Sequence, residues 1–137
     1  MVFAGINYLA VVIAALASFG FGAIYYMSLS KPWLAAIGKS VEELRANPSK
    51  TPFIVAAVCE LVMAWVLAGA LGHLGPGQVS TRNGVITALI LWAGFVVTTM
   101  AVNHGYQGSK RILTVIDGGH WLGVMLIQGL VIGLFGV

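Results

Sequence analysis

Charge is what this sequence has least of. Its 137 residues include four Asp or Glu and seven Lys or Arg, 8% together, where a soluble domain carries about 25%. Too little polar surface remains to cover a water-soluble globule. A hydrophobic content of 59% and a mean hydropathy of +0.96 place the chain in a membrane instead. The net charge of +3 therefore bears on orientation, and nucleic acid is not expected as a partner. Cysteine is nearly absent. Cys59 stands alone inside an apolar run, which excludes an intrachain disulfide and reads as a small packing residue. Gly105, Gly108, Gly118 and Gly119 have no strand–turn–helix context for a nucleotide loop. No G-x-S-x-G nucleophile motif occurs either, which leaves an enzyme as a minority reading. The apolar runs do not alternate every second residue, so a transmembrane barrel is excluded.

What is present is four long apolar runs. Each meets the length of about 20 residues that a span requires. They predict helices over about 3–27, 52–74, 83–106 and 112–136 within a single transmembrane domain, 1–137. Met1 to Ser30 carries no charge. Without a positive leading region, and with so long an apolar run, it reads as a retained span rather than a cleaved signal. The fold class expected is all-α, a polytopic four-transmembrane-helix bundle.

Residues 29–51 form the one substantial segment between spans. Pro32 suits a first helical turn and Gly38 its end. Ser40 with Glu43 predicts a capping box opening a second short helix from Val41 to about Ala46, stopped by Asn47-Pro48. Trp33, Leu34 and Ile37 share a face. The segment is expected to lie along the membrane interface with Trp33 as anchor. Lys31, Lys39, Arg45 and Lys50 lie in this loop, and Lys110 and Arg111 in the third, against Arg82 alone on the other side. The positive-inside rule then puts loops one and three in the cytoplasm and both termini outside.

Polar residues inside the spans are the candidates for function. At 1.5 Å of rise per residue, Asp117 lies roughly 9 Å past Arg111 and His120 roughly 4–5 Å deeper. His104, Asn103, Glu60, Tyr25 and Tyr26 are expected in the same cytoplasmic half, with Asn7, Thr87 and Gln128 in the outer half. An ionised group near the bilayer centre costs about 2.5–3.5 kcal/mol even on insertion scales. These side chains should therefore face the interior. Small residues mark the faces that approach closely. They are Ala10, Ala14, Ser18 and Gly22 in span one, Ala64 and Ala68 beside Glu60 in span two, and Gly119 and Gly123 in span four. Packing the first two stripes together would bring Tyr26 toward Glu60. "VCELVMAW" aligns with "VIDGGHWL", which suggests that Glu60 and Asp117 occupy equivalent places.

Several chemistries fit such a layer. Carboxylate and imidazole from Asp117, His120, Glu60 and His104 make a plausible metal set, and His104 with His120 a plausible haem pair. No cofactor is predicted, however, since Asp-x-x-His is common by chance. Buried acids with histidine and tyrosine are also the material of a proton relay. The bland alternative is an interhelical hydrogen-bond network that fixes register. Trp65, Trp92 and Trp121 read as large packing residues or the lining of an apolar pocket.

Taken together, Asn7-Tyr8, "FGAIYYMS", "KPWLAAIGKSVEEL" and "IDGGHWLGVMLIQGLVIGL" resemble the domain of unknown function 1761 family. The resemblance covers nearly the whole chain. It implies a small four-span protein of the bacterial inner membrane and brings no established activity. In that family the place of His120 is often a tyrosine, so the resemblance favours Asp117 as the central acid. The function expected is a small transporter or channel-like protein with a polar intramembrane site. The alternative is an accessory subunit that binds membrane lipid and either assembles with itself or joins a larger complex. A metal or haem redox protein is a third reading.

Overall fold

The computed structural model describes residues 3–136; Met1, Val2 and Val137, which the single-domain reading included, lie outside the described residues. Among the described residues there is no strand. The chain runs through α1 (Tyr8–Ser28), α2 (Ser30–Ile37), α3 (Val41–Ala46), α4 (Thr51–Gly72), α5 (Thr81–Leu91), a π-helical turn (Trp92–Val96), α6 (Val97–Tyr106) and α7 (Arg111–Phe135). α5, the π turn and α6 form one continuous rod, so four helices are long and apolar enough to cross a membrane.

Local chemistry sets the ends. α1 starts at Tyr8 rather than near Phe3 because the Asn7 side chain accepts from the Ala10 N–H at 3.1 Å. This satisfies one of the helix's free N-terminal donors. The residues before it turn away, and Phe3 lays its ring 4.9 Å from Trp65 of α4. Ser80 caps α5 by accepting from the Asn83 N–H at 3.3 Å. Asn83 in turn donates to the Gln78 carbonyl at 2.8 Å, tying down the turn between α4 and α5. α2 ends on Gly38 at φ 69°, a left-handed conformation that favours glycine. Ser40 and Glu43 then form a reciprocal cap, with bonds of 3.2 and 2.7 Å.

α7 is the hub. It packs against α1 and α5 most extensively and touches α4 directly. The approaches are close because small residues line them. A Cβ added at Gly84 would run into the backbone of Gly129, and one at Gly133 into the backbone of Ser80 and Thr81. α5 and α7 therefore touch main chain to main chain. The α1–α4 seam is built from Ala10, Val11, Ala14 and Ala15 against Ala64, Leu67, Ala68 and Leu71, all buried. Outer faces are strongly apolar, with Phe53, Ile54, Val58 and Phe95 among the exposed large side chains. This is the pattern of a surface adapted to lipid tails rather than water. All six basic residues of loops one and three lie toward one end of the rods, hereafter the basic end.

Candidate functional site

The segment "TVIDGGHWLG" in α7 is where the polar groups concentrate. Three aromatic donors from other helices converge on three consecutive residues there. Tyr25 donates to the Ile116 carbonyl at 2.7 Å. Tyr26 donates to Asp117 Oδ1 at 2.8 Å. Trp92 Nε1, at the first residue of the π turn, donates to the Gly118 carbonyl at 2.9 Å. Helical carbonyls at 116 and 118 keep a second lone pair for such side-chain donors. One of the two adjacent glycines gives a donor room. A Cβ at Gly119 would sit 2.6 Å from Tyr25 Oη, whereas one at Gly118 would meet only Val97 Cγ2 at 3.7 Å.

His120 lies one turn further along the same face of α7 and is buried, 6% exposed. Four aromatic rings surround it: Tyr26 and Trp121 with centroids at 4.7 Å, Tyr25 at 5.7 Å and Phe21 stacked at 6.3 Å. Its Nε2 faces Gly22 of α1, where an added Cβ would come within 2.7 Å. Its Nδ1 is buried and has no hydrogen-bond partner among the described residues. Trp33 of α2 closes the cluster on the basic side, edge-on to Tyr26 with centroids 5.7 Å apart.

A second polar cluster occupies the interior further from the basic end. Glu60 is 2% exposed, and Ser18 and Gln128 are fully buried. Ser18 Oγ is 2.6 Å from Glu60 Oε2 and 3.0 Å from the Ala15 carbonyl. Gln128 Nε2 donates to Ser18 Oγ and to the Glu60 carbonyl, both at 3.0 Å. α1, α4 and α7 are thus pinned at one level by three side chains.

The expected single layer is therefore two. Gln128 follows Asp117 by eleven residues, roughly 16 Å along α7, and it is bonded to the Glu60 carbonyl, so Glu60 shares the level of Gln128 and not that of Asp117. Tyr26 does not approach Glu60. The small stripe of α1 meets α4 as far as Ser18, but at Gly22 the helix turns its face to His120 of α7. Glu60 and Asp117 are not equivalent in surroundings either: one is held by Ser18 and Gln128, the other by Tyr26 alone. His104 shares a hydrogen bond of 2.9 Å with Thr114 Oγ1 at the basic end. Asn103 is exposed on the outer face of α6. Among the described residues no three His, Cys, Asp or Glu side chains come close enough to hold a metal ion. Ala10, Ala14, Ala64 and Ala68 are buried packing residues, and Gly123 admits the Phe21 ring.

Three contributors escape a reading of the sequence. Ser18 looks like one more small residue in a stripe, although it is the only hydroxyl there. Trp92 looks like bulk, yet its indole N–H is used. Gln128 is spaced i+4, i+4 from His120, which marks the shared face but not the Glu60 carbonyl waiting opposite it.

The family model described as "Protein of unknown function (DUF1761)" matches residues 9–133. The chain belongs to this family. The match takes in the whole of both polar clusters. Comparison with the curated proteins finds no match, and comparison with the solved structures finds none.

Proposed function

We propose that this DUF1761 protein is a small transporter or channel-like protein of the bacterial inner membrane, and that its α1–α7 seam handles protons near the basic end. The carrying observation is Asp117, a half-buried carboxyl between α1 and α7 whose hydrogen-bond partner is the neutral Tyr26. It has no ion pair among the described residues, and a buried imidazole with an unpaired nitrogen lies one turn away. An ionisable side chain at such a position is costly to keep and usually serves a pathway. Loops one and three, with six basic residues, would face the cytoplasm and both termini the outside. A reporter fused to the C-terminal end should then be active outside only.

The test is proton flux into liposomes holding a pH-sensitive dye. Wild-type protein should pass protons, and Asp117→Asn should lose this while keeping its helical content and elution volume. Unchanged flux in Asp117→Asn would sink the role of the acid. No flux from wild type would sink the reading itself.

One observation favours a second reading, the accessory or self-assembling subunit. Along the rod from Thr81 to Tyr106 only Gly84 and Ala88 are buried among the described residues, and Asn103 lies exposed on its outer face. A stoichiometric partner or a defined multimer in mild detergent, with no flux, would support that alternative.

A further inference from the structure

The buried cluster of Glu60, Ser18 and Gln128 is short of hydrogen-bond donors, and the shortage identifies what it binds. Gln128 Nε2 is fixed as the amide nitrogen because it faces the Glu60 carbonyl, which can only accept. Its two protons go to that carbonyl and to Ser18 Oγ. Ser18 has one proton and two acceptors within reach, the Ala15 carbonyl at 3.0 Å and Glu60 Oε2 at 2.6 Å. With Glu60 ionised, one of these contacts goes unmade. The carboxylate then has a single neutral donor, and no Lys, Arg or His among the described residues bonds to it. Gln128 Oε1 is buried and, among the described residues, is a further acceptor without a donor. One added proton removes the conflict at Ser18. A Glu60 O–H donates to Ser18 Oγ, Ser18 donates to Ala15, and Ser18 Oγ takes Gln128 on its remaining lone pair. Every short contact around the hydroxyl then has a donor and an acceptor.

We infer that the cluster is a resident proton-binding site, with Glu60 held as the neutral acid and Ser18 as its acceptor. The assignment concerns the chemical state of the cluster and stands apart from whether the chain moves protons at Asp117.

Infrared spectroscopy of the reconstituted protein at neutral pH tests it. Glu42, Glu43 and Glu60 are the only glutamates, and the first two are exposed on α3. In a Glu42→Gln/Glu43→Gln chain, glutamate carrying a 13C carboxyl therefore reports Glu60 alone. The carbonyl stretch of a protonated carboxylic acid should be present and should move to lower frequency with the label. It should persist in Asp117→Asn. An absent band, or one that ignores the label, overturns the assignment. The readout needs no change at Glu60 itself, so it does not depend on a core variant folding. Loss of flux and loss of this band are separate measurements, so the two readings fail independently.

Discussion

Tyr26 and Asp117 are 91 residues apart in sequence, and the tyrosine hydroxyl donates to the carboxyl at 2.8 Å. This bond joins the first long helix to the last. Tyr26→Phe removes the donor and leaves a half-buried carboxyl without its partner. It should lower unfolding free energy by about 1–2 kcal/mol, the upper range for polar contacts in membranes. Asp117→Asn keeps an acceptor for the hydroxyl and should cost less. Denaturant titration in mixed micelles separates the two; equal stability of Tyr26→Phe and wild type would show that the bond contributes nothing.

Adjacent glycines should behave differently. Gly118→Ala places its methyl in ordinary contact with Val97, and the better helix propensity of alanine should leave stability equal or raised by up to about 1 kcal/mol. Gly119→Ala intrudes on the Tyr25 hydroxyl and should displace it from the Ile116 carbonyl, lowering stability by about 1 kcal/mol. Thermal unfolding of the two variants decides. A reversed order would contradict the close approach of α1 and α7 at this point.

The main-chain contact between α5 and α7 makes a harsher test. Gly84→Ala and Gly129→Ala each force a methyl into the facing backbone, which cannot yield as a side-chain tip can. Each should cost about 1–3 kcal/mol as overpacking. Gly94→Ala on the outer face has nothing near its added methyl and serves as the control. If all three variants melt alike, the helices do not meet there.

Coupling within the inner cluster is measurable by a double-mutant cycle. Ser18→Ala and Gln128→Leu should be non-additive, with an interaction energy of about 0.5–2 kcal/mol, because each removes a partner of the other. Simple additivity would mean that the two side chains do not share a bond in the folded protein.

The four rods, the short helices of the first loop and the face of α7 that carries Asp117, His120, Val124 and Gln128 are legible in the sequence because each depends on local periodicity or on a cap a few residues long. Which helix faces which is not local. The stripe of Ala10, Ala14, Ser18 and Gly22 announces a close approach without saying that its partner changes from α4 to α7 between Ser18 and Gly22. Depth counted from the last charged residue does not give the level of a side chain in the bundle. α7 begins well before its neighbours in the bundle, against α2, where Lys110 donates to the Ala35 carbonyl at 2.9 Å. Counting from Arg111 therefore placed Gln128 on a different level from Glu60.

The hub position of α7 also bears on how the protein is made. Ribosomal synthesis delivers the spans in order, and α1 and α4 can join through Ser18 and Glu60 as soon as both are inserted. The donors of Tyr25, Tyr26 and Trp92 have no such early partner, since Ile116, Asp117 and Gly118 emerge last. In a membrane, these three polar side chains would until then face lipid or the insertion machinery. A nascent chain halted before Ile116 should therefore be the form most open to quality-control proteolysis, and completion of α7 the step that ends it.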